Sequence, residues 1–360
     1  MSPPHTPLPV AVLGATGSVG QRLVALLDGH PWFRLARVMA SPRSVGQPYG
    51  ERVRWLQTTP LPEDAAGLNL ESCEVSDPPA LVLSALGSDV AGPIETRLAQ
   101  AGAVVVSNAA SHRLDADVPL LVPEINGEHI ALAEAQSQRF GSGRILTNPN
   151  CSSIGLTMAL APLHRAFGVE RVHVVTMQAL SGAGVPGVPA MAAVDNVIPH
   201  VAGEEAKLMT EPAKILGQLQ GQGISPAELI ISAQCNRVAV SDGHTLCVSV
   251  GLARAASAAE MRSVWTSFRG PDDVAALPSA PAQPVLYLDG DDVPQPRLHR
   301  DLSGGMAVTV GQLRPCPLLR WRFVSLSHNT LRGAAGGALL TAELALTRGL
   351  VPGYRRPTDT

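Results

Sequence analysis

Pro9-Val10-Ala11-Val12-Leu13-Gly14-Ala15-Thr16-Gly17-Ser18-Val19-Gly20 decides the fold. A short apolar run reads as a buried strand, breaks at closely spaced glycines, and passes into a helical stretch from Gln21 to Leu27. That context makes a glycine-rich turn credible as a dinucleotide site. The glycines permit a tight turn and let a pyrophosphate approach the backbone N–H groups at the helix N-terminus. The spacing is G-x-x-G-x-x-G, a variant of the commoner G-x-G-x-x-G. Glycine turns also join strands to helices for purely structural reasons, so the neighbouring segments matter.

Leu35 to Ala40 reads as the second strand. An NAD site places a carboxylate near this strand end, on the ribose 2′-hydroxyl. Here the sequence is Ser41-Pro42-Arg43-Ser44, a hydroxyl and a guanidinium that suit a 2′-phosphate and so point to NADP. A solvated surface arginine is the plain alternative. Ala80 to Ser88 and Ala103 to Ala110 read as buried strands, with a helix between them from Val90 to Ala101. The alternation predicts an α/β fold with a parallel, doubly wound sheet. Ligands bind beyond the carboxyl ends of such strands, where Ser84, Gly87, Ser107 and Asn108 cluster, with Arg113 within reach.

Asn148-Pro149-Asn150-Cys151-Ser152-Ser153-Ile154-Gly155 follows at the point where such a domain should finish. The apolar run from Leu156 to Phe167 predicts a helix beginning at or just after Cys151. A thiol there sits at the positive end of the helix dipole, which favours the nucleophilic thiolate. Unpaired backbone N–H groups at the helix start are candidate oxyanion donors. A small buried residue at a helix start is the bland alternative.

Beyond Cys151, Arg171 to Gln178 alternates like a strand with one buried face. The glycine-rich loop after it carries one amide, Gln178, suited to a substrate carbonyl. A helix is predicted from Gly203 through Lys214 to Leu219, with Glu204 and Lys207 on one face. Ile230 to Val240 and Leu246 to Leu252 read as strands whose turn brings Arg237 and His244 to one end of a hairpin. A histidine in a polar turn suits a general base near neutral pH. Pro271 to Pro296 reads as a long loop with one short strand, Val285 to Leu288. Met306 to Gln312 and Trp321 to Ser327 are the last predicted strands, before an Ala/Leu-rich helix ending near Gly349.

With 360 residues the chain can hold two domains, each with its own core. The formal charge of −3 leaves no electrostatic footprint for nucleic acid or an anionic membrane. The five cysteines form no C-x-x-C pair, so neither a metal site nor a disulfide scaffold is expected, and a reducing compartment is. Met1 to Pro9 has no apolar core of signal-peptide length, and no apolar run suffices to span a bilayer. A cytoplasmic protein is expected.

A nucleophilic cysteine beside a nicotinamide implies aldehyde chemistry: the thiol adds to the carbonyl, a hydride leaves, and an acceptor releases the thioester. At this point the sequence resembles the aspartate-semialdehyde dehydrogenase family, in its archaeal and fungal-like branch. The resemblance covers nearly the whole chain. It runs through GATGSVGQ from Gly14, SPRS from Ser41, SALGSD from Ser84, SNAASHR from Ser107 and NPNCSSIGL from Asn148. It continues through MQALSGAGVPGVP from Met177, DNVIPHVAGEEAK from Asp195, CNRVAVSDGHT from Cys235, PQPR from Pro294 and SHNTLRGAAGGAL from Ser327.

The resemblance implies reversible NADPH-dependent reduction of L-4-aspartyl phosphate to L-aspartate 4-semialdehyde and phosphate, a step toward lysine, methionine and threonine. It casts Cys151 as the acylated nucleophile, His244 as the acid and base, and Gln178 as the orienting amide. Arg237 then pairs with the substrate α-carboxylate and Glu204 with its α-amino group, Glu205 being the adjacent alternative. Arg113, Asn150 and Lys207 resemble phosphate-site groups. Gly14, Thr16, Gly17, Ser18, Val19, Ser41, Arg43, Ser44, Ser84, Ser181, Gly182 and Asn329 resemble cofactor contacts. The implied architecture is a Rossmann-type NADP-binding domain over 1–150, completed by a C-terminal helix within 330–360. A mixed-sheet α+β catalytic and oligomerisation domain spans 151–329, in a homodimer or homotetramer. Val185 and Ala190 stand where this branch suggests a Tyr and a Ser. The rival readings are a reductase of N-acetylglutamyl phosphate or malonyl-CoA on the same scaffold, and a non-catalytic NADP-binding regulator.

Overall fold

The computed structural model describes residues 6–354. The start of the Pro-rich lead, 1–5, and the end of the C-terminal segment, 355–360, lie outside the described residues. The first sheet is built from β1 (Leu8–Leu13), β2 (Phe33–Ala40), β3 (Leu70–Ser72), β4 (Leu81–Ser84), β5 (Val104–Ser107) and β6 (Arg144–Thr147). Its order is β3-β2-β1-β4-β5-β6 and every pairing is parallel. β4 and β5 are buried at every residue, which explains why they read as unbroken apolar runs rather than alternating ones. The strand order reverses direction between β1 and β4. The loops Gly14–Gly17 and Ala85–Gly87 leave the carboxyl ends of these two strands side by side, the position where open α/β sheets bind ligands.

The second sheet is mixed and seven-stranded. Its strands are β7 (Val169–Gln178), β8 (Val197–Ile198), β11 (Ile230–Val238), β12 (His244–Leu252), β13 (Val285–Tyr287), β14 (Val308–Cys316) and β15 (Arg320–Ser327). A separate ribbon pairs β9 (Gln218–Gln220) with β10 (Gly223–Ser225). The helix Cys151–Phe167 lies against the mixed sheet with Leu156, Leu160 and Leu163 wholly buried. Each such side chain contributes about 1.5–3 kcal/mol of burial. The helix Gly336–Thr347 returns to the first sheet and packs on β4 and β5. It is buried from Gly336 to Leu346, which its run of small residues permits. A Cβ on Gly337 would lie 2.7 Å from Asn148 Oδ1.

Two expectations from sequence fail. β11 and β12 form no hairpin, because β7 lies between them, parallel to β11 and antiparallel to β12. The β7 segment supplies the central strand that both flanking strands pair with, and its length matches theirs. Arg237 is still paired with Gln178, and Thr245 with Met177, so Gln178, Arg237 and His244 share one end of the sheet. The helix begun at Glu204 ends at Ile215, not Leu219. Gly217 follows, and its α-carbon faces Ser225 O so closely that a Cβ would approach to 2.5 Å, which lets the β9–β10 ribbon fold back there.

Candidate active site

The nucleophile segment leaves β6 through Asn148-Pro149 and is capped by Asn150, whose Oδ1 accepts from Ser152 N at 2.9 Å and Ser153 N at 3.3 Å. Cys151 is therefore the first helical residue, as the sequence predicts. Of the expected oxyanion donors, the N–H groups of Ser152 and Ser153 are spent on the Asn150 side chain. Behind the cysteine, the wide turn Leu331–Ala335 approaches so closely that a Cβ on Gly333 would lie 2.7 Å from Cys151 Cβ.

Cys151 Sγ lies 3.3 Å from His244 Nε2. His244 is not in the polar turn; it opens β12 and is wholly buried. Its Nδ1 accepts from Ala179 N at 3.0 Å, so the neutral ring carries its proton on Nε2 and donates toward sulfur. Burial and, after it, the Glu204 carboxylate push the Cys151 thiol up to about 12, against the lowering pull of Arg113, Lys207 and Ser152 N–H. Desolvation thus works against the low thiol pKa expected of a helix start. Burial, with Arg237 and His328, pushes His244 down to about 3, so the imidazole is neutral.

A cavity of about 440 Å³ opens on Cys151, with His244 buried behind the sulfur. Glu204 is a buried wall residue held by Asn150 Nδ2 at 2.9 Å, Lys207 Nζ at 2.8 Å and Gln178 Nε2 at 3.3 Å. Glu205 turns away and accepts from Cys235 N at 3.1 Å, so of the two adjacent acids Glu204 alone lines the cavity. Arg237 Nη1 donates to Ala179 O at 2.8 Å and also reaches the cavity. Arg113 donates to Asn148 O at 3.0 Å, to Asn108 O at 2.6 Å and to Glu211 Oε1 at 2.9 Å. Glu211 and the Ala179 N–H were not legible in the sequence. Glu211 lies 61 residues from its other partner, Asn150 N, and a backbone donor leaves no side-chain signature.

The same cavity reaches Ser18 and Val19, just past the glycine turn. Gly14 has φ +69, and a Cβ there would lie 2.7 Å from Ala85 O, so the turn and the β4 loop touch through glycine alone. The helix Ser18–Leu27 starts from Gly17 with no side-chain cap and no acid in its first turn. Its N–H groups are thus available to a pyrophosphate, with Ser18 and Val19 on the cavity wall. Ser181, Gly182 and Asn329 form the facing wall; Asn329 Nδ2 donates to Ser181 Oγ at 2.8 Å and its Oδ1 accepts from Gly243 N at 2.8 Å. Thr16 is half-buried in the turn and gives its carbonyl to Gln21 Nε2 at 2.9 Å. Ser41 and Arg43 are exposed past the end of β2.

Seven expected cofactor contacts, Gly14, Thr16, Gly17, Ser41, Arg43, Ser44 and Ser84, do not line the cavity. Ser84 is wholly buried as the last residue of β4, and Ala85 and Leu86 line the cavity in its place. Ser44 is buried and accepts from Arg52 Nε at 3.1 Å. Among the described residues no His, Cys, Asp or Glu cluster could hold a metal, and no helix is long and apolar enough to cross a membrane.

Residues 9–133 match the semialdehyde dehydrogenase NAD binding domain, and residues 160–332 match the semialdehyde dehydrogenase dimerisation domain. The aspartate-semialdehyde dehydrogenase of Archaeoglobus fulgidus is 44% identical over 95% of this chain and 99% of its own length. The crystal structure of aspartate semialdehyde dehydrogenase with NADP from Candida albicans superposes with a TM-score of 0.88 at 40% identity, covering 96% of this chain and 100% of that one. Aspartate semialdehyde dehydrogenase II of Vibrio cholerae, complexed with ASA, superposes with a TM-score of 0.75 at 25% identity, covering 95% and 98%.

Proposed function

This chain belongs to the aspartate-semialdehyde dehydrogenase family, and on that premise we propose how its own residues carry the reaction. The activity is that of the family: reversible NADPH-dependent reduction of L-4-aspartyl phosphate to L-aspartate 4-semialdehyde and phosphate, in amino-acid biosynthesis. The observation that carries the assignment of roles is the 3.3 Å approach of Cys151 Sγ to His244 Nε2 beside a cavity with anchors of both charges.

The substrate is clamped by charge. Arg237 takes the α-carboxylate and Glu204 the α-ammonium, while Arg113, Asn150 and Lys207 hold the phosphate. The ammonium also cancels the Glu204 charge, which is the second cause holding the Cys151 proton on. Substrate binding therefore promotes the thiolate it needs. The sulfur then attacks the carbonyl, whose oxygen is met by the Gln178 amide and by His244 Nε2. His244 does its acid and base work at that nitrogen, which faces sulfur first and the reacting oxygen next. The glycine turn, Ser18, Val19, Ser181, Gly182 and Asn329 hold NADP, which supplies or accepts the hydride when bound. The thioester left on Cys151 is released by phosphate in the oxidative direction.

Aspartate semialdehyde, phosphate and NADP⁺ supplied together should yield NADPH with this chain, and no NADPH would remove the reading. N-acetylglutamyl phosphate and malonyl-CoA lack a free α-ammonium and leave Glu204 without its partner, so neither is favoured. Cofactor choice has its own test. Arg43→Ala removes the cation proposed for the 2′-phosphate, and a charge-assisted hydrogen bond is worth about 1.5–3 kcal/mol. The dissociation constant of NADP should rise roughly ten- to hundredfold while that of NAD is unchanged. Equal effects on both would place the phosphate elsewhere.

We read residues 1–150 with the C-terminal segment from 330 as the NADP-binding unit, and 151–329 as the catalytic and oligomerisation unit. A cytoplasmic homodimer or homotetramer is proposed. The match of residues 160–332 to a dimerisation domain supports the association, which sedimentation measures directly.

A further inference from the structure

The helix Glu204–Ile215 presents Glu204, Lys207, Glu211 and Lys214 at spacings of three and four, one face of an α-helix. The first two are substrate groups in the reading above. The other two touch the same site from behind. Lys214 Nζ donates to the backbone carbonyls of Arg113, Asp115 and Val118 at 2.8, 2.9 and 2.9 Å. Glu211 is 2% exposed and bridges two site residues: Oε1 accepts from Arg113 Nη1 at 2.9 Å and Oε2 from Asn150 N at 2.8 Å.

The Asn150 contact answers a local deficiency. In a capping box the third helical residue turns back to the N–H of the capping residue. Here that residue is Ser153, too short for the task, and the Asn150 N–H would be buried without a partner. A carboxylate from another helix supplies the acceptor. Its second oxygen fixes Arg113, whose Nε and Nη2 also donate to Asn148 O and Asn108 O, which leaves two of its five N–H groups for a phosphate. One buried side chain therefore sets the spacing between the nucleophile's cap and the phosphate-site arginine.

We propose that Glu211 is the positioning residue of the phosphate subsite, holding Arg113 and Asn150 in the one register in which both address the same phosphate. The proposal rests on the assignment of Arg113 and Asn150 to phosphate. Glutamine keeps the shape but presents an N–H₂ to one of two donors, so one of the two contacts must break.

The test is Glu211→Gln in the full chain, with Glu211→Asp, which keeps the charge and shortens the reach. Both should raise the KM for phosphate about tenfold or more, the worth of one charge-assisted contact. The KM for NADP⁺ should stay within about twofold, since its anchors lie elsewhere on the cavity wall. A merely structural role would lower kcat and Tm together without that split, and this result would overturn the proposal. Calorimetric titration of inorganic phosphate into wild type and variants reads the same subsite without turnover. Equal phosphate affinity in variant and wild type would also overturn it. Wild-type phosphate binding without NADPH formation would instead count against the reaction.

Discussion

Cys151→Ala is expected to leave no measurable turnover while NADP still binds. Loss of a covalent nucleophile removes the acyl-enzyme route, and kcat should fall by on the order of 10⁴–10⁶. Alanine is smaller than cysteine and a strong helix former, so the first turn should survive. The cap does not depend on the sulfur, because Asn150 Oδ1 bonds the N–H groups of Ser152 and Ser153. The glycine turn lies on another element, so fluorescence titration with NADPH should give a dissociation constant close to wild type. Steady-state rates above about 1% of wild type would exclude Cys151 as the nucleophile. Alkylation of the wild-type thiol adds a pH signature. With the thiol pushed up to about 12, its rate without ligands should climb about tenfold per pH unit from neutrality into the alkaline range. A plateau near neutral pH would mean that the helix terminus prevails over burial.

The contrast between dipole and desolvation marks where the sequence stops being informative. Asn150-Cys151-Ser152 identifies a helix start because capping is local chemistry, written within three residues. The packing of Cys151 against Gly333 is written 182 positions away and has no local sign. The first sheet was legible because parallel strands covered on both faces must be continuously apolar, as β4 and β5 are. Strands of the second sheet were legible from their alternation, but alternation does not name a partner. β7 entered between β11 and β12 without leaving any trace in the turn that joins them. The site shows the same division. Gln178, Glu204, Lys207, Arg237 and His244 stand in readable motifs; the first four line the cavity and His244 reaches it through Cys151. The groups that hold them, Glu211 and the Ala179 N–H, act across sequence distances that no spacing rule covers.

The second large effect is on stability. Glu124→Ala should lower it by about 3–5 kcal/mol, because it strands a buried guanidinium. Arg332 Nη1 and Nη2 donate to Glu124 Oε1 and Oε2 at 2.5 and 2.9 Å across 208 residues, and both side chains are 1% exposed. Arg332 Nε already has no hydrogen-bond partner among the described residues, so nothing nearby can take up the lost contacts. A fall in Tm of roughly 4–7 °C is expected for a chain of this size. Glu74→Ala is the control. Its partner Arg97 and Glu74 itself are 51% and 67% exposed, so that loss should stay within about 1 kcal/mol. Replacing both buried partners, Glu124→Leu with Arg332→Met, should recover much of the stability, since the penalty lies in the unpaired charge rather than in the missing pair. The single variant should also lose kcat beyond its unfolded fraction. Arg332 directly precedes Gly333, whose backbone packs against Cys151, so a loosened turn reaches the nucleophile. A Tm within about 2 °C of wild type would mean that water reaches Arg332 and solvates it. If the Tm falls but kcat per folded molecule is unchanged, the Leu331–Ala335 turn holds its place without the ion pair, and packing of Gly333 and Gly337 against the nucleophile segment is what sets it.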